Sequence, residues 1–166
     1  YTIHTFTTSG TFNVVTSTPP NVNEAATVVQ RKYNLFTGSN PLVTTLDNPV
    51  TAGNFISIQY FGSIQVTDPS TCTSNNGNTV NRGPGDRVGF GGTLNTFYVY
   101  NANSGSTTFT CSGIASGPSV IITEYSGVIN TEDPLITSGQ TTGSAIPLQT
   151  SITNSSKALL IMGLFN

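Results

Sequence analysis

The chain has 166 residues, of which only 7% are charged, and its formal net charge at pH 7 is −2. An average globular domain carries about 25% charged residues, so hydroxyl and amide groups must supply most of this protein's polar surface. Five Lys and Arg residues cannot neutralise a phosphate backbone, which argues against nucleic-acid binding by counterion release. The hydrophobic content of 36% is enough for one packed core and argues against a disordered chain.

The sequence favours a secreted protein. Its longest apolar run, residues 158–165, is interrupted by Gly163 and is too short to span a bilayer as a helix. The first residue is Tyr1 rather than Met, as expected for a mature chain whose signal peptide has been removed. We therefore expect an extracellular or cell-surface location.

The two cysteines, Cys72 and Cys111, lack the CxxC spacing and the nearby histidine of a metal site. In a secreted chain they are predicted to form one disulfide that closes a loop of about 40 residues and contributes about 3–4 kcal/mol. The alternative is a pair of buried free thiols.

Short runs rich in Thr, Val, Ile, Tyr and Phe alternate with clusters of Gly, Pro, Asn and Ser, and helical periodicity is nearly absent. Ten strands are predicted, at residues 2–8, 11–16, 27–36, 41–46, 54–66, 93–101, 106–112, 118–125, 144–152 and 157–165. Their number and spacing predict an all-β fold, a two-sheet antiparallel β-sandwich of the jelly-roll type. A short helix over residues 24–31 is the alternative for that segment, and its β-branched residues disfavour it.

The chain divides into three predicted parts. Residues 1–16 form an N-terminal β-strand arm, residues 17–24 form a connector stiffened by Pro19-Pro20, and residues 25–166 form the β-sandwich domain. Within the domain, the longest irregular segment is predicted at residues 67–92, where Gly and Pro mark several turns. The predicted disulfide would attach this loop to the strand at residues 106–112.

Several local patterns follow one another in a fixed order. They are Val50-Thr51-Ala52-Gly53-Asn54, Asp68 with Gly77-Asn78-Thr79, Thr96-Phe97-Tyr98-Val99-Tyr100-Asn101, Ser106-Thr107-Thr108-Phe109-Thr110, and Glu124-Tyr125-Ser126-Gly127-Val128 with Asp133-Pro134-Leu135. Together they resemble a widespread β-sandwich module of secreted and cell-surface proteins of bacteria and archaea, over about residues 45–165. The resemblance implies a jelly-roll or immunoglobulin-like surface unit of the adhesin or filament-subunit type, without a general enzymatic activity. Residues 1–12 separately look like the start of glycine-rich domains in phage tail proteins.

Members of this family continue beyond the strand that corresponds to residues 157–165, whereas this chain ends at Asn166. We therefore expect an open groove beside that strand, which is apolar on both faces and needs a neighbour on each side. The groove is predicted to be lined by Leu159, Ile161 and Leu164. The donor strand that fills it is predicted in the arm, with Ile3, Phe6, Phe12 and Val14 as its apolar side chains.

These observations predict a secreted structural subunit that polymerises into a pilus-like extracellular filament by donor-strand complementation between identical subunits. One alternative is a monomeric cell-surface adhesin or carbohydrate-binding module with surface glycans as its partners. A further alternative is a phage or virus tail or capsid surface protein. We expect no nucleic-acid partner and no membrane-spanning segment.

The candidate catalytic residues do not form a pattern, so we expect neither an enzyme nor a cofactor or metal. His4 is the only histidine and lies in the arm. No pair of carboxylates stands out for glycoside hydrolysis. Glu124 is expected to be a strand-end carboxylate that hydrogen-bonds to a loop. Turn aspartates Asp68, Asp86 and Asp133 leave a Ca²⁺ site as an alternative.

Two surface features complete the prediction. Exposed aromatic side chains could stack on sugars, and the candidates are Tyr60, Phe61, Phe97, Tyr98 and Tyr100, of which strand alternation is expected to place about half in the core. Asn154 begins the sole N-glycosylation sequon, Asn154-Ser155-Ser156, and is a modification site only if the source glycosylates exported proteins.

Overall fold

A computed structural model describes residues 26–65, 70–83, 87–89 and 92–128. Eleven β-strands and no helix occur in these residues. The strands are β1 Thr27–Asn34, β2 Leu42–Thr45, β3 Phe55–Gly62, β4 Ile64–Gln65, β5 Thr71–Ser74, β6 Asn81–Arg82, β7 Arg87–Gly89, β8 Gly92–Val99, β9 Thr108–Ser112, β10 Ile114–Ser116 and β11 Ser119–Ser126.

The strands form two main antiparallel sheets, as expected for a β-sandwich. The larger sheet has the order β1-β11-β3-β8-β6, and β7 also pairs with β8. The smaller sheet has the order β2-β9-β5, and β4 and β10 form a separate two-stranded ladder. Long-range pairing of this kind confirms the predicted all-β antiparallel sandwich.

The core lies between the two sheets and follows the alternation of each strand. On β3, Ile56, Ile58 and Tyr60 are fully buried and face a single cluster that includes Phe109 and Leu42 of the smaller sheet. Removal of this apolar surface from water is the main favourable contribution to folding. The predicted alternation at residues 54–66 therefore selects the correct inward face.

The predicted strand at residues 54–66 divides at Ser63 because the chain must cross to the β4–β10 ladder there. Gly62 is the contact point: a Cβ at this position would lie 2.4 Å from Cγ2 of Ile114. The same Cβ would lie 2.9 Å from the carbonyl oxygen of Ser116, so a side chain at position 62 would clash with the backbone of β10. The sequence prediction did not include β10, which follows Gly113.

The prediction of an irregular segment over residues 67–92 is wrong in part, since β5, β6 and β7 lie within it. These strands have two to four residues. Among the four residues of β5, Cys72 alone is buried. Strand formation here comes from pairing with β9 and β8, which local sequence does not reveal.

The predicted disulfide is confirmed. Cys72 on β5 and Cys111 on β9 are directly opposite in the ladder and are bonded across 39 residues of sequence separation. Both are buried in the core. The bond therefore joins two adjacent strands of the smaller sheet. The sequence predicts that it attaches a loop to a strand, and that part of the prediction is wrong.

Replacement of both cysteines by alanine is expected to lower the free energy of unfolding by about 3 kcal/mol, because the unfolded chain regains loop entropy. For a chain of this size the thermal midpoint should fall by about 10 °C, measured by circular dichroism. Thr73→Ala with Thr110→Ala, at a neighbouring pair of the same two strands, is the control and should cost much less. An unchanged midpoint in the cysteine variant would contradict a stabilising role.

Candidate functional site: the edge strand β1

Strand β1 lies at the edge of the larger sheet, where β11 is its one partner among the described strands. The ladder contains a bulge, since the register shifts between Val28 and Gln30. A strand edge exposes backbone donors and acceptors that another strand can pair with. Its side chains therefore decide whether the edge is blocked or available.

The inward face of β1 is polar, and its side chains connect the edge to the smaller sheet. Three bridges leave alternate positions of the strand and reach residues 43–48. The bridges are Gln30–Asn48, Lys32–Asp47 and Asn34–Thr44. Their donor–acceptor distances are 3.0, 2.5 and 2.9 Å in that order. The Lys32–Asp47 ion pair is partly exposed and contributes little stability by itself. The neutral Gln30 and Asn34 bridges are therefore the main side-chain links between β1 and residues 43–48.

The apolar side chains of β1 and of the residues that follow it face outward. Five large hydrophobic residues in this segment are 44–79% exposed. They are Val28, Val29, Tyr33, Leu35 and Phe36. Single exposed hydrophobic residues are common, but five within nine consecutive positions are a local concentration of exposed apolar surface. We call these five residues the apolar edge.

Phe36 is the most exposed member of the apolar edge and has an unfavourable backbone conformation. Its φ is 55°, in the left-handed region that bulky residues avoid at a cost of about 1 kcal/mol or more. Its backbone N–H donates to the Ser119 hydroxyl at 2.8 Å, which holds the turn. An aromatic side chain here is 79% exposed and gains little from burial, so folding stability does not explain it.

Glu124 on β11 is fully buried, and its carboxylate accepts three hydrogen bonds. Oε1 accepts from the backbone N–H of Thr51 at 3.0 Å and from Nδ2 of Asn54 at 2.6 Å. Oε2 accepts from Nε2 of Gln30 at 2.5 Å. Within the described residues no ion pair involves Glu124, so neutral amide donors solvate its carboxylate.

The Glu124 network also orients β1. Gln30 uses Nε2 for both Glu124 and the Asn48 carbonyl, while its Oε1 accepts from the Asn48 N–H at 3.1 Å. One side chain therefore joins β11, β1 and the loop before β3. The sequence prediction of a loop-bonded carboxylate agrees with the contacts to Thr51 and Asn54, but it missed Gln30, which is 94 residues away.

A second aromatic cluster lies on the face of the larger sheet that points away from the smaller sheet, here called the outer face. Phe55, Tyr98 and Tyr125 form it, with the Phe55 and Tyr98 rings stacked at 6.0 Å and the Phe55 and Tyr125 rings tilted at 6.4 Å. At its rim Arg31 donates to the Thr123 hydroxyl at 3.0 Å.

The aromatic residues proposed for sugar stacking divide between core and surface. Tyr60 and Phe97 belong to the main core, in agreement with the expectation that about half of these residues are buried, and cannot stack on a sugar. Burial raises the pKa of the Tyr60 phenol, and its oxygen accepts from the Ile114 N–H at 3.3 Å. Tyr98 is buried in the outer-face cluster, while Tyr100 is partly buried against it.

All of the predicted assembly residues and the predicted glycosylation site lie outside the described residues, so their roles stay predictions. These are the donor-strand residues Ile3, Phe6, Phe12 and Val14, the groove residues Leu159, Ile161 and Leu164, and the sequon residue Asn154. The strands predicted at residues 2–8, 11–16, 144–152 and 157–165 fall there as well. Sequence reasoning missed the apolar edge, although the alternation of Gln30, Lys32 and Asn34 is a visible period-2 signal.

In the part of the chain that the structure describes, no cluster of three or more His, Cys, Asp or Glu side chains could hold a metal ion. That part also contains no helix with the length and apolarity to cross a membrane. Comparison of the chain with protein-family models, with curated proteins and with solved structures found no match.

Glu124→Ala should lower the free energy of unfolding by about 3 kcal/mol or more, because it leaves several buried donors without an acceptor. Glu124→Gln should cost less, since its carbonyl oxygen can still accept from Thr51 and Asn54 while its amide group faces Nε2 of Gln30. Urea denaturation measures both values. Equal losses for the two variants, or a loss below about 1 kcal/mol for Glu124→Ala, would contradict the assigned network.

Proposed function

We propose that this protein is a secreted structural subunit that assembles into an extracellular filament by strand addition. In this proposal, residues 1–16 of one copy pair with the edge of β1 in the next copy, which is an edge among the described strands. This acceptor differs from the groove predicted at Leu159, Ile161 and Leu164, which lies outside the described residues. The observation that carries it is the apolar edge on β1, an edge strand with five exposed hydrophobic residues beside it. Strand addition supplies backbone hydrogen bonds, and exposed side chains supply apolar contacts.

The composition of β1 supports this use of its edge. Edge strands that must stay unpaired often carry Pro, outward charges or very short lengths. β1 has eight residues and no proline, and its Lys32 charge is engaged by Asp47. The bulge at Val29 leaves residues 30–34 in regular register with β11. β1 therefore has two of the features that protect an edge strand, the bulge and the exposed charge of Arg31, and lacks proline and short length.

The connector supports transfer of the arm to a neighbouring copy. Residues 17–24 contain Pro19-Pro20, and eight residues in polyproline geometry extend about 25 Å. A short hairpin turn would pair the arm with β1 of the same chain, whereas a connector of this length is compatible with pairing to a neighbouring copy. Low charge density also reduces electrostatic repulsion between packed copies. The disulfide is compatible with an oxidising, extracellular compartment.

Assembly should depend on the apolar side chains of the arm and on the apolar edge of β1. We expect the full-length protein to form uniform fibres in negative-stain electron microscopy. Phe6→Asp with Phe12→Asp should abolish the fibres, because the arm would no longer bury apolar side chains. Thr7→Asp with Thr11→Asp adds the same charge at polar positions and should reduce assembly much less.

A matched pair of variants tests the edge. Val29→Lys places a charge on β1 and should block strand addition, whereas Val43→Lys changes a similarly exposed valine of β2 and should leave fibres intact. Heating in detergent gives a second readout, because interlocked strands persist as a ladder of oligomers on a gel. Discrete particles from the unmodified protein would overturn the filament proposal and favour a monomeric adhesin.

A further inference from the structure

Two segments next to the smaller sheet are joined by asparagine side chains. Residues 74–78 begin at the end of β5, and residues 103–108 lead into β9; we call them the loop pair. The first segment contains Asn76-Gly77, the one Asn-Gly sequence of the chain. An asparagine before glycine loses its side-chain amide most readily, because glycine has no side chain to shield its backbone nitrogen.

The chemistry of this loss, deamidation, has two steps. The backbone nitrogen of Gly77 attacks Cγ of Asn76, a C–N bond closes a cyclic imide, and Nδ2 leaves as ammonia with the proton of the attacking nitrogen. Water then opens the ring and leaves aspartate or its β-linked isomer. Gly77 is exposed and has φ 75°, so its nitrogen carries no steric protection of its own.

The amide of Asn76 uses all four of its hydrogen-bonding positions in the folded protein. Nδ2 donates to Oγ1 of Thr107 at 2.7 Å and to the carbonyl oxygen of Asn103 at 3.4 Å. Oδ1 accepts from the hydroxyl of Ser74 at 2.7 Å and from Nδ2 of Asn78 at 2.6 Å. Because the Asn103 carbonyl can only accept, it fixes Nδ2 on its side of the amide.

We propose that Asn76 is a latent deamidation site that the loop pair protects. Ring closure turns the amide toward the Gly77 nitrogen, so the bonds from Nδ2 to Thr107 and Asn103 must break. Thr107 is fully buried, and its hydroxyl donates to the Gly105 carbonyl at 3.1 Å, which holds the acceptor in place. The reaction therefore starts from a state in which the loop pair has opened locally.

The product does not fit the closed loop pair. Aspartate at position 76 would place an oxygen where Nδ2 lies, and this oxygen would face the Asn103 carbonyl with no proton between them. The Thr107 hydroxyl has one proton, which the Gly105 carbonyl already accepts. Conversion therefore favours the open loop pair, and it proceeds in one direction because the ammonia is lost to solution.

Peptide mapping by mass spectrometry measures conversion at Asn76 in the full-length, disulfide-bonded protein. At neutral pH and one temperature, we expect conversion in the native protein to be at least about tenfold slower than in the same protein unfolded in urea. Comparable rates in the two states would overturn protection by the fold.

A pair of variants separates local opening from global unfolding. Thr107→Val removes the acceptor of Nδ2 and should accelerate conversion in the native protein several-fold. Ile58→Val, in the core between the sheets, lowers global stability away from the loop pair and should leave the native rate low. Neither change should alter the rate in urea. No acceleration in Thr107→Val, or equal acceleration in both variants, would contradict protection by the loop pair.

Asn76→Asp tests the consequence of conversion by hydrogen exchange. The Asn103 N–H donates to Oδ1 of Asn78 at 2.7 Å, and we expect its exchange to become at least about tenfold faster. Asn75→Asp is the matched control, because Oδ1 of Asn75 accepts from the Thr108 N–H at 2.9 Å and a carboxylate can do the same. Unchanged exchange in Asn76→Asp, or equal acceleration in both variants, would show that the loop pair tolerates the product and overturn this part of the proposal.

Discussion

The buried carboxylate of Glu124 is the constraint on which the edge of this sandwich depends. A group of this kind must be solvated by the protein, and its partners are two groups of the loop before β3 and the side chain of Gln30. Gln30 can reach it only if this face of β1 points inward. Because strand side chains alternate, the inward polar face sends Tyr33 outward, and the bulge between Val28 and Gln30 breaks the alternation so that Val28 also lies outward. The apolar residues of β1 are thus exposed because the inward face of the strand carries the polar side chains that contact Glu124 and residues 43–48.

Stability and the proposed assembly therefore involve different parts of the molecule. The disulfide, the core between the sheets and the Glu124 network hold the sandwich together without help from the exposed apolar side chains of β1. Phe36 even adopts a costly backbone conformation while most of its ring is exposed. Unfavourable features that stability does not require are typical of interaction sites. Because the exposed apolar residues of β1 are not needed for stability, we propose that the edge of β1 is the site of assembly.

The sequence predicted β3 well because Ile56, Ile58 and Tyr60 recur at every second position and all three lie in the core between the sheets. It could not predict β5, where the residues TCTS hold a single buried side chain and the strand exists through pairing with β9. The disulfide could be predicted because the chain has only two cysteines. The Gln30–Glu124 contact could not be predicted, because these distant residues meet only through the pairing of β1 with β11. Composition predicts the fold class, but tertiary pairing decides which face of an edge strand is open.

Disulfide trapping between copies tests the central claim, that the arm of one molecule pairs with β1 of another. One version of the protein carries a cysteine at Ile3, Phe6, Phe12 or Val14 in turn, and a second, differently sized version carries Val29→Cys. The account predicts that mixing gives a covalent pair of the two versions for at least one arm position, because paired strands bring Cα atoms within about 7 Å. A chain carrying both cysteines that bonds only within itself, or no bond at any of the four positions, would contradict it.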